Sequence, residues 1–177
     1  MCTTKAAFFD RDGTLIEDVG YLTSVDQVKI ITSIIPVCKA FQAAGYKLFI
    51  VTNQSGVARG FFDEVAVNEV NNYLQKLFST HFIFFEKCFY CPHHPKEGSD
   101  LRYTRKCECR KPKPGMLLQA AHEYNLNLQD SVMIGDKECD FQVGVAVGCK
   151  SFFVQDIVND TLSWLQHNKD LIHKNVL

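Results

Sequence analysis

Short apolar runs that each stop at a polar residue constrain this chain more than any other feature. Ala6-Ala7-Phe8-Phe9 ends at Asp10, Lys47-Leu48-Phe49-Ile50-Val51 ends at Thr52, and Ser131-Val132-Met133-Ile134 leads into Gly135-Asp136. Each reads as a short buried strand. Helical patterns separate them. One is expected over 36–44, with Pro36 in its first turn and Gly45 at its C-terminal cap. A second runs from an N-cap at Asp63 to about Phe78, with Val67, Val70, Leu74 and Leu77 at helical spacing. Pro114 opens a third, and a fourth spans 138–147 before Gly148. Further strands are expected over 87–90 and 151–154, and Asp160 caps a terminal helix containing Trp164. Alternation of strand and helix predicts βαβ units and a parallel sheet, an α/β Rossmann-like architecture with helices on its flanks.

The first strand end is chemically loaded. In Asp10-Arg11-Asp12-Gly13-Thr14-Leu15 two carboxylates lie one residue apart. Such residues point the same way on a strand, so Asp10 and Asp12 can reach one small site. Gly13 permits the sharp turn over it. One carboxylate can attack phosphorus while the other handles protons. In an open parallel sheet ligands bind at the carboxyl ends of the strands, where Asp10, Thr52 and Asp136 all fall.

A length of 177 residues suits one domain, residues 1–177, with a core of its own. The net charge of -1 argues against a nucleic-acid binder working through a broad basic surface. No apolar run is long enough to span a bilayer, and Met1-Cys2-Thr3-Thr4-Lys5 lacks the shape of a signal peptide. A cytoplasmic protein, expected to be a monomer, is the reading. Without a secretory signal the eight cysteines do not suggest a disulfide framework. Four of them lie between Cys88 and Cys109 in a His-rich stretch. Cys91, His93, Cys107 and Cys109 make a set suited to tetrahedral zinc, with Cys88 and His94 as competing ligands. Cys88 falls inside an expected strand and His94 adjoins His93, so both are less favoured.

The ordered motifs resemble the haloacid-dehalogenase-like (HAD-like) phosphatases. Asp10-Arg11-Asp12-Gly13-Thr14-Leu15 matches the D-x-D-G-T-[LI] motif; Thr52 ends a strand; Lys111 lies at a helix start; Asp136 and Asp140 follow a later strand. The resemblance covers residues 5–153. It implies Asp10 as nucleophile and Asp12 as acid and base, with Thr52, the Asn53 backbone N–H and Lys111 on the phosphoryl oxygens. Mg²⁺ would be held by Asp10, the Asp12 carbonyl and Asp136, with Asp140 as a supporting or capping carboxylate. Lys113 is expected to be a solvated residue, and Lys137 to contact a phosphate or carboxylate. The gaps between motifs leave no room for a large cap domain.

Cys91-Pro92-His93-His94-Pro95, then Cys107-Glu108-Cys109-Arg110-Lys111-Pro112, narrows the resemblance to the D-glycero-D-manno-heptose-1,7-bisphosphate 7-phosphatase group. The segments Asp18-Val19-Gly20-Tyr21 and 52–60 match it too. That resemblance implies a structural zinc in the loop at about 91–109, a small phosphorylated sugar as substrate, and a place in making activated heptose for lipopolysaccharide core or S-layer glycan. It implies substrate contacts from Asp18, Gly20, Tyr21, Asn53, Gln54, Ser55, Arg110 and Lys137. Histidinol-phosphate phosphatase is the alternative, and a zinc-stabilised binding module on a dead phosphatase scaffold is the rival of another class. One departure stands out: Gln155-Asp156-Ile157 follows the last strand where that group commonly has a Thr-Gly loop.

Overall fold

The computed structural model describes residues 4–172. Strands β1 (Ala6–Phe9), β2 (Lys47–Asn53), β3 (Phe85–Cys91), β4 (Val132–Gly135) and β5 (Lys150–Phe153) form one parallel sheet in the order β3-β2-β1-β4-β5. The chain therefore builds outward from β1 through β2 to β3, then crosses to the other side for β4 and β5. This reversal opens a crevice beyond the carboxyl ends of β1 and β4.

The two-residue period of the strands sorts the core into two layers. Ala7 and Phe9 of β1, with Leu48, Ile50 and Ile134, face α1 (Ile35–Ala43), α3 (Glu64–Ser79) and the C-terminal helices α6 (Val154–Val158), α7 (Thr161–His167) and α8 (Lys169–Ile172). Ala6 and Phe8, with Phe49, Val51 and Met133, face α4 (Gly115–Tyr124) and α5 (Glu138–Ala146). Both layers are buried, so the sheet is covered on both faces, as parallel sheets require. Phe49 centres the second layer. It is fully buried, stacks on Phe8 at 5.5 Å between centroids, and meets the Tyr124 ring edge-on at 4.9 Å.

Helix boundaries follow the local signals. Pro36 sits in the first turn of α1, and Gly45 leaves it at φ +78°. Asp63 Oδ1 accepts a hydrogen bond from the Ala66 N–H at the start of α3, and Asp160 does the same for Ser163 in α7. Two short helices were not anticipated. One, α2 (Gly56–Arg59), follows β2 and ends at Gly60 in the left-handed region, φ +76°. The other is α6, which corrects the expected strand over 151–154: β5 stops at Phe153 and Val154 opens the helix. Val154 and Ile157, three apart, put one apolar face onto the first layer, which a continued strand could not do. Strand β3 is longer than expected and delivers Cys91 as its last residue. Among the described residues no helix is long and apolar enough to cross a membrane.

Truncating the ring at the centre of the second layer should be expensive. Phe49→Ala is expected to lower unfolding stability by about 3–5 kcal/mol, the usual cost of an emptied aromatic core site. Leu162→Ala, at a side chain that is 74% exposed, should change it by less than about 0.5 kcal/mol. Urea denaturation of both variants checks this; a loss under about 1 kcal/mol for Phe49→Ala would contradict the packing described.

Candidate active site

Five segments meet at the crevice: the turn after β1, the end of β2, the loop before α4, the start of α5 and the loop after the first turn. Asp10 continues the β1 ladder, its N–H donating to the Ile134 carbonyl at 2.9 Å, which fixes the carboxylate at the mouth of the sheet. Lys111 arrives from the loop before α4, and its Nζ lies 2.5 Å from Asp10 Oδ1, 2.6 Å from Asp140 Oδ1 and 2.6 Å from the Val51 carbonyl. All three side chains are buried. Burial pushes Asp10 up to about 7, against the pull of Lys111, and the charges of Asp140 and Asp12 act in the same direction as burial. Burial acts to lower the pKa of the Lys111 ammonium, but Asp10 and Asp140 outweigh it and hold it above its ordinary value. Both shifts are upward, for different reasons: burial dominates at Asp10, whereas at Lys111 the charges of two buried carboxylates overcome it.

Asp136 adds a third. The carboxylate oxygens of Asp10, Asp136 and Asp140 approach within 4.8 Å of one another. Asp136 Oδ1 is buried with no hydrogen-bond partner, while its Oδ2 lies 3.6 Å from Lys137 Nζ. Asp140 is more committed: besides Lys111, it accepts the Lys137 N–H at 3.1 Å and so caps α5. Gly13, at φ +84°, crosses this cluster so closely that a Cβ there would lie 2.5 Å from Asp136 Oδ2. A clustered carboxylate set with an orphaned buried oxygen fits a hard divalent cation.

Asp12 faces the same pocket from the other side. Its Oδ2 accepts from Gln54 Nε2 at 2.8 Å and, at the long limit of 3.5 Å, from Thr52 Oγ1. Gln54 Nε2 also donates to Thr52 Oγ1 at 2.8 Å. The Asn53 side chain pairs with the backbone of Lys111, accepting its N–H at 3.0 Å and donating to its carbonyl at 3.1 Å. The strand end of β2 thereby clamps the loop that carries the lysine.

The pocket floor, about 50 Å³, is lined by Asp10, Asp12, Thr52, Asn53, Lys111, Lys137, Cys139 and Asp140. It adjoins a wider cavity of about 390 Å³ bounded by Asp12, Asp18, Gly20, Tyr21, Asn53, Gln54, Ser55, Phe62, Arg110 and Lys137, among others. Every residue expected to contact substrate thus lies on one connected surface. Lys137 ties its two halves together, 3.0 Å from Asp18 Oδ2. Burial alone would lower the Lys137 pKa; the hydrogen bond to Asp18 and the charges of Asp136 and Asp18 outweigh this and raise it. Lys113, by contrast, is exposed and pairs with Glu108 at 2.5 Å, as expected of a solvated residue.

The cysteine loop closes on itself. Cys91, Cys107 and Cys109 place their sulfurs 3.2–3.5 Å apart, and His93 Nδ1 lies 3.6 Å from Cys91 Sγ and 3.4 Å from Cys109 Sγ. With Zn–S bonds of about 2.3 Å a tetrahedron has edges of about 3.8 Å, so the four atoms need only small adjustments to hold zinc. The hydrogen bond shared with Cys91, then burial opposing it, then the hydrogen bonds with Cys107 and His93, leave Cys109 pulled down to about 5, while the same contact and burial push Cys91 up. The set thus already favours a thiolate, the form that binds metal. Cys88 sits within β3 against the first layer, and His94 Nδ1 accepts the Glu97 N–H at 2.8 Å, so neither competing ligand joins the set. The loop is bolted to α3 by Glu64, which accepts from Tyr90 at 2.9 Å and Tyr103 at 2.5 Å.

Arg11 and Asn71 went unnoticed in the sequence. Arg11 is 1% exposed and contacts both Asp12 and Asn71 of α3. The signals were present: Arg11 continues the Ala7–Phe9 side of β1, and Asn71 occupies a place in the buried stripe Val67, Val70, Leu74, Phe78.

Strand-end carboxylates around a buried lysine on a parallel sheet, with no large cap among the described residues, define a HAD-like hydrolase, and residues 108–176 match the family model described as HAD-hydrolase-like. The D-glycero-beta-D-manno-heptose-1,7-bisphosphate 7-phosphatase of Yersinia pestis is 40% identical over 144 residues, 81% of this chain and 76% of its own length. The D-glycero-alpha-D-manno-heptose-1,7-bisphosphate 7-phosphatase of Campylobacter jejuni is 41% identical over 142 residues, 80% of this chain and 77% of its own. A crystal structure of D,D-heptose 1,7-bisphosphate phosphatase from B. bronchiseptica, complexed with magnesium and phosphate, superposes with a TM-score of 0.74 at 29% identity, covering 86% of this chain and 81% of that one. The chain belongs to this heptose-bisphosphate phosphatase family of HAD-like hydrolases. Nothing in the comparisons supports the histidinol-phosphate alternative.

Proposed function

We propose that this chain, acting as a single domain, is a Mg²⁺-dependent phosphatase that removes the C7 phosphate of D-glycero-D-manno-heptose 1,7-bisphosphate. One observation carries the reading: the two candidate cations fall on different parts of the cavity. Lys111 lines the small carboxylate pocket and not the wide cavity; Arg110 lines the wide cavity and not the small pocket. A substrate with one phosphate to lose and one to keep needs that separation. The relatives named for such bisphosphates support it.

Lys111 holds Asp10 Oδ1, which leaves Oδ2 to attack phosphorus. The Oδ2–P bond forms as the bond from phosphorus to the C7 oxygen breaks, and Asp12 gives that oxygen its proton. Water then attacks the aspartyl-phosphate, Asp12 takes its proton, and phosphate leaves with Asp10 restored. Lys111 and the Thr52 hydroxyl meet the negative oxygens of the transferring group. Asp10, the Asp12 carbonyl and Asp136 would hold Mg²⁺, supported by Asp140. Bound there, the cation would neutralise the carboxylates and the phosphoryl group. Arg110, its Nη1 tied to the His93 carbonyl at 3.1 Å, would grip the retained C1 phosphate with its planar fork. Asp18, Gly20, Tyr21, Asn53, Gln54, Ser55 and Lys137 would line the sugar. Zinc on Cys91, His93, Cys107 and Cys109 would be structural, since four protein ligands leave no open position. Free thiols suit a reducing cytoplasm, and the chain is taken to act as a monomer.

A panel containing both heptose 1,7-bisphosphate anomers and histidinol phosphate tests the substrate. Release from the bisphosphate should dominate and should vanish in Asp10→Asn, because an amide cannot form the phospho-enzyme. Near wild-type turnover in Asp10→Asn, or preference for histidinol phosphate, would overturn the proposal. Arg110→Ala should cut use of the bisphosphate at least about tenfold while sparing p-nitrophenyl phosphate, in line with a lost charge-assisted contact; Lys111→Ala should impair both. An equal effect of Arg110→Ala on the two substrates removes it from specificity. For the second metal, elemental analysis should find about one zinc per chain. Stripping it should lower the thermal midpoint, and zinc-free protein of unchanged stability would count against a structural role.

A further inference from the structure

We propose that Arg11 is a positioning residue: anchored to α3 through Asn71, it fixes the direction of the Asp12 carboxylate for proton transfer. The inference rests on the phosphatase reading above and deepens it.

The geometry begins in β1. Ala7 and Phe9 face the α1 and α3 layer, and Arg11 follows them two residues on, while Asp10 continues the opposite face with Ala6 and Phe8. The guanidinium is therefore driven into an interior that tolerates a cation only when its donors are met. Two groups meet them. Nη1 donates to Asn71 Oδ1 at 2.9 Å. Nε and Nη2 fork onto Asp12, with Nε at 3.2 and 3.1 Å from the two oxygens and Nη2 at 3.1 Å from each. Asn71 is itself informative. It stands in the buried stripe of α3, where an apolar side chain would pack at no polar cost, yet it presents its carbonyl to Arg11 and leaves its own Nδ2 without a partner.

The chain Asn71–Arg11–Asp12 thus runs from a rigid helix to the pocket wall. Gln54 holds Asp12 Oδ2 from the other side at 2.8 Å, so the carboxylate is gripped between a helix and the end of β2. Proton delivery needs the acid within about 2.6–3.2 Å of the leaving oxygen. A planar fork with a third branch can lock both the place and the plane of a carboxylate; an ammonium cannot. Arg11 exchanges no proton in either half of the reaction. It touches neither pocket, and acts only through Asp12.

The leaving group separates this role from mere support of the fold. The C7 alkoxide must be protonated to depart, whereas p-nitrophenolate departs without help. In Arg11→Gln, kcat/KM for the heptose bisphosphate should fall about 100-fold, a typical share of acid catalysis. For p-nitrophenyl phosphate kcat/KM, which covers only the steps through departure, should stay within about fivefold of wild type for the same reason. Water attack still needs Asp12, so p-nitrophenolate should then appear as a burst of one per site followed by slow turnover. Arg11→Lys should fall between. Asn71→Leu completes the apolar stripe and removes only the anchor; it should show the same selective loss at about tenfold, as expected for a slackened rather than absent group. If Arg11→Gln fails to fold, the Asn71→Leu ratio decides alone. Equal losses on both substrates, or none in a folded variant, overturn the positioning role while leaving the phosphatase reading intact. Wild-type protein inactive on both substrates overturns the phosphatase reading itself.

Discussion

The ammonium of Lys111 is the interaction on which the rest of this structure depends. It is buried, it touches Asp10 and Asp140 at 2.5 and 2.6 Å, and it takes a third contact from the Val51 carbonyl. Those partners belong to the ends of β1 and β2 and to α5, so one cation cross-links three elements that are distant in sequence. Removing it would leave two buried carboxylates uncompensated, a loss typically worth about 3–5 kcal/mol. Stability and chemistry therefore share a group. On the mechanism proposed above, the same charge that holds the sheet ends together also meets the transferring phosphoryl group.

A lysine can be held there only if the loop before α4 is rigid, and that loop has little regular structure of its own. Its order comes from local ties. Cys107 and Cys109 gather with Cys91 at the end of β3 and with His93, bringing residue 109 beside the sheet two positions before the lysine. Asn53 then fastens the Lys111 backbone by two hydrogen bonds, and Glu64 of α3 fastens Tyr90 and Tyr103. Gly115 completes the closure, because a Cβ there would lie 2.4 Å from the Glu108 carbonyl oxygen. A metal in the thiol set would add folding free energy at the place where the loop has least of its own.

Much of this was legible in the sequence because it rests on short-range rules. Strand ends, caps and the D-x-D turn are written in neighbouring residues, and β1, β2, β4, α1, α3 and α5 appear near their expected limits. The clustering of Cys and His between 88 and 109 likewise pointed to the gathering of Cys91, His93, Cys107 and Cys109, which Cys88 and His94 do not join. What stayed hidden depends on pairing across the fold. Val154 reads as strand by composition, and only the empty face of the first layer turns it into helix. Asp140 could be a cap or a metal-site carboxylate from sequence; it is both a cap and a partner of Lys111, which only the approach of α5 to the β1 end reveals.

The pairing of buried Arg11 with half-buried Asp12 shows why such residues escape sequence reading and why they matter. A charged residue between two carboxylates reads as local neutralisation at the surface. The alternation of β1 says otherwise: position 11 must face α3, where a cation persists only if a helix residue accepts from it. Asn71 is that residue, and in a stripe defined by Val67, Val70, Leu74 and Phe78 it costs packing that an apolar side chain would supply. A polar group kept in an apolar stripe needs a reason beyond stability, because fully apolar replacements of buried polar networks are often neutral or better. Here the network terminates on Asp12, at the boundary of the small pocket and the wide cavity. With no large cap among the described residues to press a substrate into place, precision at that boundary has to be built into the floor. The Asn71–Arg11–Asp12 chain provides it from the rigid side of the sheet.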